Sequence, residues 1–437
     1  MAGYSEAKAS LSQPSLLHRL GAGPAALMAA VLLLIALPLV LDDRYVGTLI
    51  KMLAASLFAL AFNILWRQTK LLSFGHAAYF GLGMFAVVHL MRAIEADSLS
   101  LPLPLVPVAG LLAGLVFGWV AGFFATIRTG TYFAMVTLAI AELIHQLAPQ
   151  WEGVFGGEAG LSSMRMPWAG FTFGSDVEVY YLVLAWFVLA VAAMYLFTRT
   201  PLGRLAFALG DNELRIRFLG YNTHAMKTRV FAVSGMFAGL AGGLLALSNE
   251  NVDHTIFNAF VSGSAVIHTF VGGAGVFFGP VIGAVGLTFF GFVVSDATRL
   301  WILYQGLIFI LVVMYAPQGI GGVIVDHVEP WRQGRLRRLA GPYLVALLAA
   351  SSLTAGTVFL FEFLARLFSD PYGIQAAASK GLPAVEYLGL TWSHASLTTW
   401  LVPAALLAAG GLLLRIAVRQ IRRAWESIRA DKHGASA

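Results

Sequence analysis

The chain has 437 residues, of which 59% are hydrophobic and 12% aromatic, and its mean hydropathy is +0.79. Soluble domains carry about 45–50% apolar residues, so this composition excludes an ordinary soluble enzyme and calls for an all-α polytopic membrane protein. The lack of cysteine excludes disulfides, thiolate metal sites and a cysteine nucleophile, while a net charge of +6 fits cationic loops on one membrane face better than a nucleic-acid partner.

Apolar runs predict about twelve transmembrane helices in chain order, at 24–41, 45–65, 71–94, 103–127, 131–148, 178–198, 229–249, 257–275, 279–295, 300–316, 341–366 and 398–418. The first run follows Lys8 and Arg19 as the core of a signal peptide would. It is longer than such a core, and no small-residue cleavage site precedes Asp42, so a retained span is expected. The runs at 71–94 and 257–275 are rich in Gly, Ser and His and are expected to be broken or re-entrant helices.

Charge sets the orientation. With the N-terminus inside, the inner segments hold Lys8, Arg19, Arg67, Lys70, Arg128 and the basic residues of 199–229, 332–338 and 415–432, which is most of the 28 Lys and Arg. The outer segments hold Asp42, Asp43, Glu152, Glu158, Asp176, Glu250 and Asp253. This alternation predicts an even number of spans and two cytoplasmic termini.

Three glycine series mark faces where helix backbones approach closely: Gly110, Gly114, Gly118 and Gly122; Gly235, Gly239 and Gly243; and Gly275, Gly279 and Gly283. No phosphate-binding loop, dinucleotide fingerprint or H-E-x-x-H motif occurs, and the ten histidines form no metal-ligand spacing. Energy for any transport must therefore come from an ion gradient or another subunit.

Ionisable residues inside spans are costly, which makes them functional candidates. Glu142 and His145 lie three apart on one helix face, and His76 and His268 sit within apolar runs. Each also has a structural reading, as a hydrogen-bonded group between helices. A Glu142 and His145 proton relay would make the chain an ion-coupled secondary transporter.

The segment 199–229 concentrates charge between two spans on the basic side. Leu205, Leu209, Ile216 and Leu219 share one helical face, with Arg204, Asp211, Arg215 and Arg217 elsewhere. Asp211 to Arg215 and Glu213 to Arg217 are acid-before-base pairs at i, i+4, each worth a few tenths of a kcal/mol to a helix. Gly210 ahead of Asp211 and Asn212 predicts a break with a new N-cap, and Gly220 with Asn222 predicts a stop. Two short surface helices result, resting on lipid headgroups or docking onto a soluble partner.

At this point the residues resemble a known family. LLSFGHAAYFGLGMF (71–85), IRTGTYFAMVTLAIAEL (127–143), WEGVFGGEAGLSSM (151–164), TPLGRLAFALGDNELRIRFLGYNTHAMKTRVFAVSGMFAGLAGGLLAL (200–247) and FVGGAGVFFGPVIGA (270–284) are similar, in order and spacing, to permease subunits of branched-chain amino-acid ABC importers of the LivM type. The resemblance implies a bacterial inner-membrane importer built from two such permeases, identical or homologous. It also implies two cytoplasmic ATPases that carry ATP and Mg, and a periplasmic or lipid-anchored substrate-binding protein. No cofactor is expected on this chain. The implied substrates are branched-chain amino acids, or urea, short amides and aromatic acids.

The resemblance divides the chain into a tail and first span (1–44), a permease core of about 8–10 spans (45–325) with a coupling loop at 199–229, and a C-terminal extension (326–437) with two further spans. The family's coupling loop falls on Ala208, Gly210, Asp211, Asn212, Glu213, Ile216 and Gly220, flanking Arg215 and Arg217. Gly210 stands where relatives carry arginine, and Ile216 where they carry a small residue. The outer motif falls on Phe155, Gly156, Gly157, Glu158, Gly160 and Leu161, with Phe155 in place of threonine, and is the expected docking surface for the binding protein. Ser73, His76, Glu142 and His268 are candidates for the translocation path, because helix breaks nearby free backbone groups for a small zwitterion. The tail RQIRRAWESIRADKHG is expected to be an amphipathic helix on the membrane surface.

Overall fold

A computed structural model describes residues 23–369, 383–387 and 389–434. Lys8 and Arg19 lie outside them. The chain divides into two compact units, residues 1–325 and 326–437.

The helices of the first unit are α1 (Gly23–Ala36), α2 (Asp43–Thr69), α3 (His76–Glu95), α4 (Pro107–Ala125), α5 (Thr131–Leu147), the single turn α6 (Glu152–Phe155) and α7 (Asp176–Arg199). They continue with α8 (Pro201–Asp211), α9 (Glu213–Phe218), α10 (Thr223–Asn249), α11 (Ala259–Gly272), α12 (Gly279–Ser295), α13 (Trp301–Tyr315) and α14 (Gly319–Arg332), the last running on into the second unit. Two residues, Leu161 and Ser162 (β1), pair antiparallel with Asn251 and Val252 (β2).

Eight of the twelve predicted segments are helices long and apolar enough to cross a membrane. Three are shorter than a span, Met28–Leu39, α11 and α12, while α13 is long and apolar enough to cross only together with α14, from which it is bent by 46° at a three-residue break. At 1.5 Å per residue the 14 residues of α11 reach only about 21 Å, short of the ~30 Å hydrocarbon core. The span expected to be broken at 71–94 is instead an unbroken helix from His76 to Glu95, long enough to cross by itself, and Leu71 and Ser73 lie in a buried non-helical stretch before it.

The packing centre is α2 and α10, whose apolar windows are 83% buried, whereas α5 is 22% buried and packs by one edge only. Small residues make that centre possible. A Cβ on Gly114 would lie 2.2 Å from the Gly235 carbonyl oxygen, one on Gly239 would lie 2.3 Å from that of Gly110, and one on Gly83 of α3 would lie 2.1 Å from that of Gly239. Three backbones therefore meet at van der Waals distance, the arrangement that small-residue faces permit. In the third series the close contacts are at Gly272, Gly279 and Gly283, while Gly275 stands in open space. The four-residue spacing fails there because Gly275 lies in the turn between α11 and α12 rather than on a helix.

The second unit pairs α15 (Arg337–Leu367) with α16 (Leu397–Gly434). Gly356 lies against Leu407 and Gly410 against Leu353, so the two helices are antiparallel, and Ser352 Oγ donates to the Leu406 carbonyl at 2.8 Å. A hairpin of β3 (Val385–Tyr387) and β4 (Leu390–Trp392) caps one end, with Trp392 edge-on to Phe359 at 4.7 Å. The basic tail is not a separate surface helix. It continues the last span without a break, because nothing between Leu397 and Gly434 disrupts the helix after Pro403 in its first two turns.

Candidate functional site

The charged elbow between α7 and α10 is assembled from local caps. Thr200 Oγ1 accepts from the Gly203 N–H at 3.1 Å with Pro201 at the first helical position, which starts α8. Asn212 Oδ1 accepts from the Arg215 N–H at 3.0 Å and starts α9. Gly220, at φ +86°, ends α9, with the Tyr221 N–H returning to the Ile216 carbonyl at 3.4 Å. Asn222 Oδ1 then caps α10 through the Ala225 N–H at 3.0 Å.

The break predicted at Gly210 falls instead at Asn212, and Gly210 belongs to α8. It is a contact point: a Cβ there would lie 2.9 Å from the carbonyl oxygen of Gln68 at the end of α2. Leu209 and Ile216 are buried against Met226, with Leu205 and Ala208 packed alongside. Gly210 and Ile216 thus both face the protein's own interior. Leu219, predicted on the same apolar face, is exposed because it caps α9 beyond its last turn.

Neither predicted i, i+4 ion pair forms. Asn212 separates Asp211 from Arg215 by a helix break, and Glu213 turns to Lys227 of α10, whose Nζ donates to Glu213 Oε1 at 2.6 Å. The Lys227 side chain is 4% exposed and that of Glu213 is 38% exposed, so the elbow is bolted to the base of α10 by a pair with one buried partner. Asp211 lies instead in the field of Lys70 at the end of α2. Burial lowers the Lys70 pKa, Asp211 opposes that, and Arg67 adds to it. Outward, the elbow presents Leu214, Phe218, Leu219 and Tyr221 together with Arg215 and Arg217.

The four path candidates separate by location. Ser73 is fully buried, with Oγ accepting from the Gly75 N–H at 3.3 Å. His76 is fully buried among Phe58, Phe62, Tyr79 and Phe231. Its Nε2 lies 2.8 Å from Ser234 Oγ. That hydroxyl donates to the Ala61 carbonyl at 2.6 Å, so it accepts from an Nε2–H of His76. His268 is buried in α11. Glu142 is exposed, on the side of α5 turned away from the bundle, and accepts from Gln146 Nε2 at 2.6 Å. His145 bonds the His254 carbonyl at 3.2 Å, so the two residues of the imagined relay have different partners.

The loop expected to lie outside folds around three glycines of positive φ, Gly156, Gly157 and Gly160, and a Cβ on Gly160 would lie 2.3 Å from the Val252 carbonyl oxygen. Phe155 turns inward, stacking edge-on against Phe85 at 4.9 Å and Phe257 at 5.7 Å. Glu152 and Glu158 stay exposed. Beside this loop Arg165 lies 3.0 Å from Glu250, and Ser163 Oγ donates to Glu95 Oε2 at 2.7 Å, tying the C-terminal ends of α3 and α10 to the segment after β1. Among the described residues no three His, Asp or Glu side chains gather as a metal-holding group.

Residues 44–316 match the family described as branched-chain amino acid transport system / permease component. The chain belongs to this permease family. It is 25% identical over 318 residues to the high-affinity branched-chain amino acid transport system permease protein LivM of Escherichia coli K12, covering 67% of this chain and 74% of that protein. LivM of Salmonella typhimurium LT2 gives the same identity and coverage. The ribose import permease RbsC of Haemophilus influenzae is 29% identical over 221 residues, covering 46% of this chain and 65% of RbsC. No solved structure gives a significant match.

The protein is therefore a multi-pass membrane subunit of an ABC transporter, a class of permease whose ATPase activity lies on separate subunits. The matched residues include the elbow, Glu142 and the outer loop, while the second unit lies beyond them. The pairings of Lys227 with Glu213, Arg165 with Glu250 and Ser163 with Glu95 carry no signal in the sequence, since the partners are remote along the chain and follow no helical period. In this permease Gly210→Ala should lack the stabilisation of about 1 kcal/mol that such a change brings to an open helix, and should cost about as much through the Gln68 contact. Thermal unfolding in detergent checks this, and a stabilised variant would mean that α8 stands clear of α2.

Proposed function

We propose that this chain is the translocation subunit of an ATP-driven importer for a small zwitterion of the branched-chain amino-acid type, working in a bacterial inner membrane with both termini in the cytoplasm. It pairs with a second permease, identical or homologous. Two ATPase subunits seat against the elbow, and a periplasmic or lipid-anchored binding protein docks over the outer loop. The observation that carries this reading is the elbow itself, a rigid two-helix projection fixed to α10 by Glu213 and Lys227 within the family-matched residues. Ala208, Gly210, Asp211, Asn212 and Gly220 shape it, and Arg215, Arg217, Leu214 and Phe218 offer it to the ATPase.

A push on the elbow reaches α10, one of the two most buried helices, and through the glycine contacts reaches α4 and α3. This is how ATP-driven closure outside the membrane can move spans inside it. At the outer face Gly156, Gly157 and Gly160 hold the loop shape, while Glu158 and Glu152 supply charge for the binding protein.

The solute path runs along the outward side of α5. A carboxylate facing lipid near the middle of a span costs several kcal/mol, so the Glu142 face is turned toward another permease chain or water. Glu142 and Gln146 then meet the ammonium end of the solute, with Ser73, His76 and His268 behind them as the supporting interior. An anionic aromatic acid would meet Glu142 with like charge. Glu142→Gln is expected to lower zwitterion uptake about tenfold to a hundredfold, the worth of one hydrogen bond to a charged group, without changing basal ATP hydrolysis. Uptake at the wild-type rate would remove Glu142 from the path.

The test of the whole proposal is uptake of labelled leucine into proteoliposomes holding the permease pair, the ATPases and the binding protein. Uptake should require ATP and every component. Uptake by this chain alone, driven by a proton gradient and abolished by Glu142→Gln, would establish secondary transport instead.

A further inference from the structure

The second unit, beyond the family-matched residues, carries a charge pattern of its own. On α16 the apolar run ends at Leu414, and Arg415, Arg419, Arg422 and Arg423 follow at offsets of four, seven and eight, within about 100° of one helix face. All four are exposed. The antiparallel contacts of Leu353 with Gly410 and of Gly356 with Leu407 bring Arg337, at the start of α15, within about one turn of the level of Arg422 and Arg423. Arg332 and Arg335 precede it, and His327 ties the level together, its ring 5.6 Å from Tyr343 of α15 and 5.2 Å from Trp425 of α16.

Of these arginines, none of Arg332, Arg335, Arg337, Arg415, Arg419, Arg422 and Arg423 has an ion pair among the described residues. The acids at this end with described side chains are Asp326, Glu329 and Glu426, with Asp431 further along α16, and Glu329 accepts from Gln333 at 2.7 Å. The charge is therefore unsatisfied among the described residues of the unit. Its depth is also defined. The 18 residues from Leu397 to Leu414 span about 27 Å, close to the hydrocarbon thickness, so Arg419, Arg422 and Arg423, roughly 8–14 Å beyond Leu414, fall in the headgroup layer. Segments 326–338 and 415–428 contain no lysine. Orientation alone would be served by either cation, but only the guanidinium fork grips a phosphate through two parallel hydrogen bonds.

We propose that the arginine-lined end of the C-terminal helix pair is a binding site for anionic phospholipid headgroups, which fasten the added helices to the leaflet they meet. The side chains of Arg415, Arg419, Arg422 and Arg423 hold the phosphates from α16, and Arg332, Arg335 and Arg337 close the site from the other side. Trp331, exposed beside Arg332, and the His327, Tyr343 and Trp425 cluster supply the aromatic level at which such headgroups sit. The attraction adds with each arginine near the surface and weakens with salt.

The full-length chain, delipidated in neutral detergent, is titrated with phosphatidylglycerol or phosphatidylcholine and followed by native mass spectrometry. Wild type should hold phosphatidylglycerol about tenfold or more tightly than phosphatidylcholine, with the preference shrinking as ionic strength rises. The exposed quadruple variant R415Q/R419Q/R422Q/R423Q should lose that preference and keep its phosphatidylcholine binding, and R335Q/R337Q, on a different helix end, should weaken it. Equal affinity for the two lipids in wild type, or an unchanged preference in both variants, overturns the proposal. So does a quadruple variant that keeps the lipid but no longer co-purifies with the ATPase subunits, since the surface would then serve an acidic protein.

Discussion

Glu213→Gln is expected to damage this permease more than Lys227→Met, although the two changes break the same 2.6 Å contact. The asymmetry comes from burial. Lys227 is 4% exposed and cannot recover water when its partner is neutralised, whereas Glu213 is 38% exposed and can. Removing the acid leaves a buried ammonium held by one neutral acceptor, and removing the lysine leaves a carboxylate already half in solvent. Discounting for the exposed partner, the first change should cost about 1–3 kcal/mol and the second less than about 1 kcal/mol.

Both changes should free the elbow from α10, so both should also lower the number of solute molecules moved per ATP. Transport in the assembled importer should fall by about tenfold or more in Glu213→Gln, since each 1.4 kcal/mol of misplacement is a factor of ten. Parallel measurements of thermal unfolding and of uptake per ATP hydrolysed separate the two effects. Equal destabilisation by the two variants would mean that Lys227 reaches water, and unchanged uptake per ATP would mean that the elbow does not carry the stroke.

Gly239→Leu should prevent the bundle from closing. The Cβ alone would lie 2.3 Å from the Gly110 oxygen and 2.8 Å from the Gly114 Cα, and both obstacles are backbone, which cannot swing aside as a side chain can. Gly239→Ala should therefore already cost about 1–3 kcal/mol, the usual range for overpacking, and leucine should abolish a folded, monodisperse protein. Gly286 of α12 provides the contrast, because a Cβ added there would meet nothing within 4 Å, and Gly286→Ala should be neutral or gain up to about 1 kcal/mol. Fluorescence size-exclusion profiles and melting temperatures read both. A well-folded Gly239→Leu would show that α4 and α10 do not pack backbone to backbone.

The sequence by itself determined whatever depends on neighbours along the chain. Hydropathy located the eight helices long enough to cross a membrane, because burial in hydrocarbon is a property of about 20 consecutive residues, but it could not tell them from the shorter apolar helices at 24–41, 257–275 and 279–295. The stop of the elbow at Gly220 was visible for the same reason, since a left-handed glycine ends a helix locally, whereas the break expected at Gly210 falls two residues later, where Asn212 caps α9. The glycine faces of α4 and α10 showed as four-residue spacings, since a helix returns to the same face at that interval.

Tertiary structure decided the partners and the directions. Glu213 has Arg217 at the favoured spacing, yet a buried lysine fourteen residues on wins it, because a charge-assisted bond in low dielectric outweighs an exposed one. The absent side chain at Gly210 was intelligible only once the Gln68 carbonyl stood 2.9 Å from where a Cβ would be, and the inward turn of Phe155 only once Phe85 and Phe257 surrounded its ring. Helical period placed Glu142 and His145 on one face but could not say what that face meets. Burying His76 and exposing Glu142 are outcomes of how whole helices pack, and no local pattern carries that information.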